Sequence, residues 1–191
     1  MQESIQREVV LYTPNKKYIG KIDLKNNDIR TIDQLNSATI YWKDPNEKSF
    51  NDAIMISDVE VSLHGHGKLI SFDRLQLRLS DIVFFSDKLS ASGVATEKMR
   101  AQTLTEKAQE QVSQARILTE MRGDSFFLVL GTFHGLFKNK TKNRFLPLTN
   151  TKIYEVLRTG DKWTRVEVDV GNTFIGLSSG HIEACSFSTG A

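Results

Sequence analysis

Leu75-Gln76-Leu77-Arg78-Leu79-Ser80-Asp81-Ile82-Val83-Phe84-Phe85 is the stretch from which the fold is read. Leu75, Leu77 and Leu79 alternate with Gln76, Arg78 and Ser80, the period of a strand with one buried and one solvated face. Ile82-Val83-Phe84-Phe85 continues that strand beyond an irregularity at Ser80-Asp81. Upstream, Ile54 to Ser62 is a second strand, alternating from Asp58 onward, and His64-Gly65-His66-Gly67 makes the turn between the two. Earlier still, Val9 to Tyr12 and Tyr18 to Leu24 flank the turn residues Pro14 to Lys17, and Thr31 to Leu35 offers one helical turn.

The same order of strands returns near the C-terminus. Asn51 to Val61 runs parallel to Asn143 to Ile153, with apolar positions, a Ser or Thr and an Asp or Asn in the same sequence. Leu75 to Phe85 aligns with Ile175 to Cys185, setting Leu77 opposite Leu177 and Ile82 opposite Ile182, and Tyr18 to Lys21 is matched to His134 to Phe137. Such self-similarity predicts a tandem repeat whose two copies superpose.

Ile29-Arg30-Thr31-Ile32-Asp33-Gln34-Leu35-Asn36-Ser37, then Ala53 to Val61, then Leu75 to Phe84, resembles a short bacterial β-domain family of unknown function. The family pattern is a strand pair with a central Gly, an Arg-x-x-Asp-x-Leu-Asn stretch, a strand reading phenylalanine-(leucine or isoleucine)-x-leucine-threonine-(aspartate or asparagine), and a closing strand ending in isoleucine-valine. Arg144-Phe145-Leu146-Pro147-Leu148-Thr149-Asn150 matches the third element more closely than the first copy does. The second copy lacks the Arg-x-x-Asp-x-Leu-Asn stretch. The resemblance covers the two β segments only, and it implies no activity.

Between them the composition changes. From Thr96 to Arg122 there is no Pro, Gly or aromatic residue, and helix formers dominate. Ser92 suits an N-cap and Gly123 a C′ position. Ala101, Leu104, Ala108, Val112 and Ala115 form one narrow stripe at helical spacing. The expectation is a mostly β (α+β) protein: a small β-barrel or roll over residues 1–88, a helical linker over 89–123 and a second barrel or roll over 124–191.

Net charge is +2, too weak a field to argue for or against nucleic acid. With Cys185 as the sole cysteine there is no disulfide framework or Cys-rich zinc site, and the thiol is expected to be buried. Met1 to Arg7 carries no apolar stretch of the kind a signal peptide needs, and no run is long enough to cross a membrane, so no membrane insertion and a cytoplasmic location are expected.

Candidate chemistry is sparse. His64 and His66 lie two apart, but their glycine neighbours favour a turn over a metal site. Gly123-Asp124-Ser125 has a nucleophile block's residues in the wrong structural order, and Ser179-Gly180-His181 reads as a turn. Gly65-His66-Gly67-Lys68 lacks the spacing of a phosphate loop. Arg74-x-x-x-Arg78 followed by Ser90-x-x-Gly93 is similar to the cyclic-dinucleotide-binding PilZ domain, except that Lys88 stands where that pattern needs an acidic or amide residue. Lys138, Lys140, Lys142 and Arg144 form a basic loop between Phe137 and Phe145, of a kind that binds single-stranded nucleic acid. The reading is therefore no enzyme and no cofactor. It is a scaffold that meets a protein partner, or itself, through the helix stripe, the alternative being a sensor of an anionic nucleotide or single-stranded nucleic acid.

Overall fold

Alternating sequence becomes strand nearly everywhere it occurs. The structure, a computed structural model, describes residues 5–24, 29–37, 52–88, 112–134, 144–171 and 174–189. In chain order these residues form β1 (Ile5–Tyr12), β2 (Lys16–Leu24), α1 (Thr31–Asn36), β3 (Ala53–Leu63), β4 (Lys68–Arg78), β5 (Phe84–Lys88), β6 (Val112–Thr119), β7 (Ser125–His134), β8 (Phe145–Thr159), β9 (Lys162–Val168), β10 (Ile175–Ser178) and β11 (Ile182–Thr189). Single 3-10 turns at Leu79–Asp81 and Ser179–His181 supply the irregularity between β4 and β5 and between β10 and β11.

The eleven strands make one open antiparallel sheet, ordered β11-β6-β7-β8-β10-β5-β1-β2-β3-β4, with β9 also beside β8. This corrects the expectation of two separate barrels or rolls joined by a long helix. The joint is direct: β10 pairs with β5, Gly176 opposite Phe85 and Leu177 opposite Phe84. Unbroken apolar runs explain it. Val9 to Tyr12 and Ile82 to Phe85 are buried throughout, so β1 and β5 are covered on both faces. Val9, Leu11 and Phe85 enter one core with Ile22, Ile56 and Phe145, whereas Val10, Tyr12 and Phe84 enter a second with Phe127, Val129 and Leu148. Each core draws on both halves of the chain, and a small barrel could not cover these strands by itself.

The linker is corrected as well. Among the described residues α1 is the only α-helix, and Val112–Thr119, expected to be helical, is strand β6. Its period is two: Ala115, Ile117 and Thr119 are buried, while Gln114, Arg116 and Leu118 are exposed. Helix-forming residue types concealed that alternation, and pairing with β7 and β11 overrode their propensity. Gly123, at φ +66°, serves the tight turn into β7 and ends no helix. The predicted helix up to residue 111 lies outside the described residues.

Strand pairing recurs along the chain. β5-β1-β2-β3-β4 is followed in the same sense by β11-β6-β7-β8-β9. A bulge recurs within it. Asp58 (φ +51°) on β3 and Asn150 (φ +50°) on β8 are left-handed non-glycine residues, a backbone state that Asp and Asn tolerate best. At each site the partner strand's register slips by one residue, opposite Gly20 and Gly131. A Cβ on Gly20 would stand 2.9 Å from the Ser57 carbonyl oxygen, and one on Gly131 would stand 3.2 Å from that of Thr149. Gly131 thus faces the Asn150 bulge as Gly20 faces the Asp58 bulge. The slip changes the facing parity of β3, so that Ile54 and Ile56 before it and Val59 and Val61 after it are all buried.

Gly176 is the closest approach in the seam, for a Cβ there would overlap the ring of Phe85. Gly176→Ala should lower stability by about 1–3 kcal/mol through overpacking. Gly67→Ala, in open space, should change it by under about 0.5 kcal/mol. Denaturant unfolding of the two variants compares them, and equal midpoints would refute the tight seam.

Candidate interaction site

The seam between the halves gathers polar and aromatic groups from β1, β5, β7, β8 and the β3–β4 turn. Tyr12 of β1 stacks on Phe84 of β5 with centroids 4.4 Å apart, and Phe84 meets Phe127 of β7 edge to face at 5.0 Å. His64, in the β3–β4 turn, reaches across to this cluster, its ring 5.4 Å from Phe127 and 5.9 Å from Tyr12. Its Nδ1 bonds Glu155 Oε1 of β8 at 2.9 Å, and the two side chains are only 8% and 9% exposed. Nε2 of His64 is buried without a hydrogen-bond partner. The pair fastens the β3–β4 turn to β8 across the seam.

Other fasteners surround it. Tyr12 Oη donates to the Asp169 carbonyl at 3.2 Å, and burial, followed by the Asp169 charge, pushes its phenol up to about 12. Burial first, then Asp81, raises the Tyr18 phenol too. Asn36, at the end of α1, clasps the backbone of Phe145: its Nδ2 donates to the carbonyl at 2.9 Å and its Oδ1 accepts from the N–H at 2.7 Å. The Arg-x-x-Asp-x-Leu-Asn stretch is this helix, with Arg30 forked on Asp33, Leu35 in the core and Asn36 on the other half.

Outer edges contrast with the seam. Among the described residues β4 and β11 end the sheet, pairing only with β3 and β6 respectively. Leu69 of β4 is 63% exposed, and Ile70 and Phe72 beside it are exposed as well. On β9, Trp163 is 50% exposed and Val166 equally so. Exposed apolar side chains on an open strand edge invite another strand.

Sequence-predicted sites fare unevenly. Ala101, Leu104 and Ala108 lie outside the described residues; Val112 and Ala115 lie on β6, Ala115 being buried in the second core, so they form no helical stripe. Lys138, Lys140 and Lys142 also lie outside. Arg144 is committed to Asp52 at 2.6 Å, a pair that again crosses the halves. Arg74 and Arg78 sit exposed on β4. His66 is exposed in its turn, and among the described residues no three His, Cys, Asp or Glu side chains gather as a metal would need. His181, in its 3-10 turn, bonds the Ser80 carbonyl through Nε2 at 2.7 Å. Cys185 is exposed on β11, correcting the expected buried thiol; an edge strand cannot cover it. The His64–Glu155 pair escaped sequence reading because no local pattern joins residues so distant in the chain.

Known proteins supply no parallel: no family model, curated protein or solved structure matches the chain.

Removing the His64 ring leaves the Glu155 side chain buried without its partner, so His64→Ala should cost about 1–3 kcal/mol. His66→Ala should cost under about 0.5 kcal/mol, and the double change His64→Leu with Glu155→Leu should recover much of the loss. Equal stability of His64→Ala and His66→Ala in urea would show the pair to be idle.

Tyr12 predicts an alkaline transition. The unfolded phenol ionises near 10.0 and the folded one near 12, so its contribution is complete below pH 10 and disappears as pH rises to about 12. Tyr12→Phe should flatten the fall in unfolding free energy over that interval, leaving the smaller slope from Tyr18. An unchanged slope in the variant would remove Tyr12 as its source.

Proposed function

We propose that this is a non-catalytic interaction protein, a tandem β-module that binds polypeptide by adding a strand to its sheet. The observation that carries the reading is the β4 edge, where Leu69, Ile70 and Phe72 stand exposed on a strand that, among the described residues, is paired along one side only. Such an edge offers backbone hydrogen bonds for affinity and alternate side chains for selectivity. The arginines of β4 suit a partner with acidic residues at its ends.

Duplication of one module is part of the proposal. It is supported by the recurring strand order, by the Gly20–Asp58 and Gly131–Asn150 bulges, and by matching backbone bonds, Leu79 N–H to the Asp52 carbonyl and Ser179 N–H to the Arg144 carbonyl. The chain has no helix among its described residues long and apolar enough to cross a membrane. A cytoplasmic location completes the reading and is supported by the single cysteine, Cys185, which leaves the chain without the internal disulfides on which small secreted domains rely.

A photo-crosslinking phenylalanine analogue at Leu69 in the source cell tests it. A polypeptide adduct is expected there and not from the same analogue at Asp124, in the β6–β7 turn. Adducts with nucleic acid, or none at all, would end the reading and, in the first case, favour the nucleotide or nucleic-acid sensor.

A further inference from the structure

We propose that the strand added at β4 is β11 of a second copy, so that the chain assembles head to tail. This deepens the interaction reading and rests on it.

The argument starts from the seam. Inside the chain, the closing strand of the first half, β5, pairs antiparallel with β10, the strand before the 3-10 turn of the second half. The equivalents of those two partners are left over at the ends of the sheet. β4 precedes the 3-10 turn of the first half, and β11 closes the second half. Among the described residues the molecule therefore carries, besides the outer side of β9, one edge of each of these two kinds, and the internal joint already shows how the two kinds fit.

Register can be carried across. Leu177 opposite Phe84 and Gly176 opposite Phe85 become Leu77 opposite Ala184 and Gln76 opposite Cys185 of the next copy. Bulk is redistributed rather than added: the seam sets glycine against phenylalanine, and the new joint sets glutamine against cysteine. One step outward, Arg78 lies across from Glu183, opposite charges on exposed residues.

A second observation points the same way. At the seam, the β3–β4 turn of the first half lies on the second half, where His64 is buried against Phe127 and Glu155. The matching β8–β9 hairpin of the second half bears Trp163 and Val166, both exposed. In a head-to-tail joint this hairpin lies over the first half of the next copy, where Leu63 at the end of β3 is exposed. The contact is heterologous, so it closes into a ring or runs on as a filament according to the rotation per copy.

Cys185 makes the test direct. Gln76→Cys, with Cys185 kept, places one thiol at each end of the joint, at the roughly 5.5 Å Cα separation of a bonded strand pair, which a disulfide accepts. Mild oxidation of dilute protein should give a ladder of covalent dimers, trimers and higher species. Wild type, with Cys185 alone, can go no further than a dimer, and Asp124→Cys should give no ladder. Sedimentation of untreated wild type, which requires no variant to fold, should show masses that are whole multiples of the chain. A wild type that sediments as a monomer at every concentration, a symmetric dimer linked only through Cys185, or an equal ladder from Asp124→Cys overturns the assembly. If Leu69 cross-links to a different polypeptide while Gln76→Cys gives no ladder, the interaction reading survives and this one does not.

Discussion

The burial of β1 and β5 on both faces governs the structure. Most strands in a small antiparallel protein keep one face in water, and their sequences alternate accordingly. Val9-Val10-Leu11-Tyr12 and Ile82-Val83-Phe84-Phe85 do not alternate, and all eight residues are buried. Apolar area of that extent, at about 25 cal/mol per Å², cannot be left facing solvent. One face is covered by the first half itself. The other needs the second half, which supplies Phe127, Val129 and Leu148. The union of the halves is thus an obligation written into two strands, and the polar fasteners, His64 to Glu155, Asn36 to Phe145 and Arg144 to Asp52, fix its register.

Much of this was legible in the sequence, and its failures have physical causes. The alternation of Leu75, Leu77 and Leu79 marked β4, and Thr31 to Leu35 marked α1. The Ser-Asp and Thr-Asn pairs noted as repeat markers prove to be the bulges at Asp58 and Asn150, where residue type answers to backbone conformation. The error over Val112 to Thr119 came from reading residue type ahead of period. Ala115 and Ile117 alternate with Gln114 and Arg116, but the residues are good helix formers, and strand preference depends on neighbours that a sequence does not show. The single sheet was legible in principle, because an unbroken apolar run of strand length signals two buried faces.

The candidate site was less legible than the fold. His64 and His66 looked equivalent by spacing; one is buried against a carboxylate and the other is in solvent. The difference is made by Glu155, which no local pattern links to them. The open edges were equally silent, since an edge is defined by what fails to pair with it. Among the single residues, Cys185 is the plainest case. Its burial was inferred from the habit of the residue type, whereas its exposure follows from β11 being the last strand of the sheet.

The pairing of β5 with β10 also sets a timetable for synthesis. Phe84 and Phe85 leave the ribosome long before Gly176 and Leu177. Until then the first half holds Val10, Tyr12 and Phe84 on a face with nothing to cover it. Sequence-distant pairing of this kind slows folding, and exposed apolar surface on a nascent chain favours aggregation. Translation speed and chaperone supply therefore bear on the yield of this protein more than on its final stability. A pause placed after β5 would lengthen the vulnerable interval, whereas rapid elongation through β10 would shorten it.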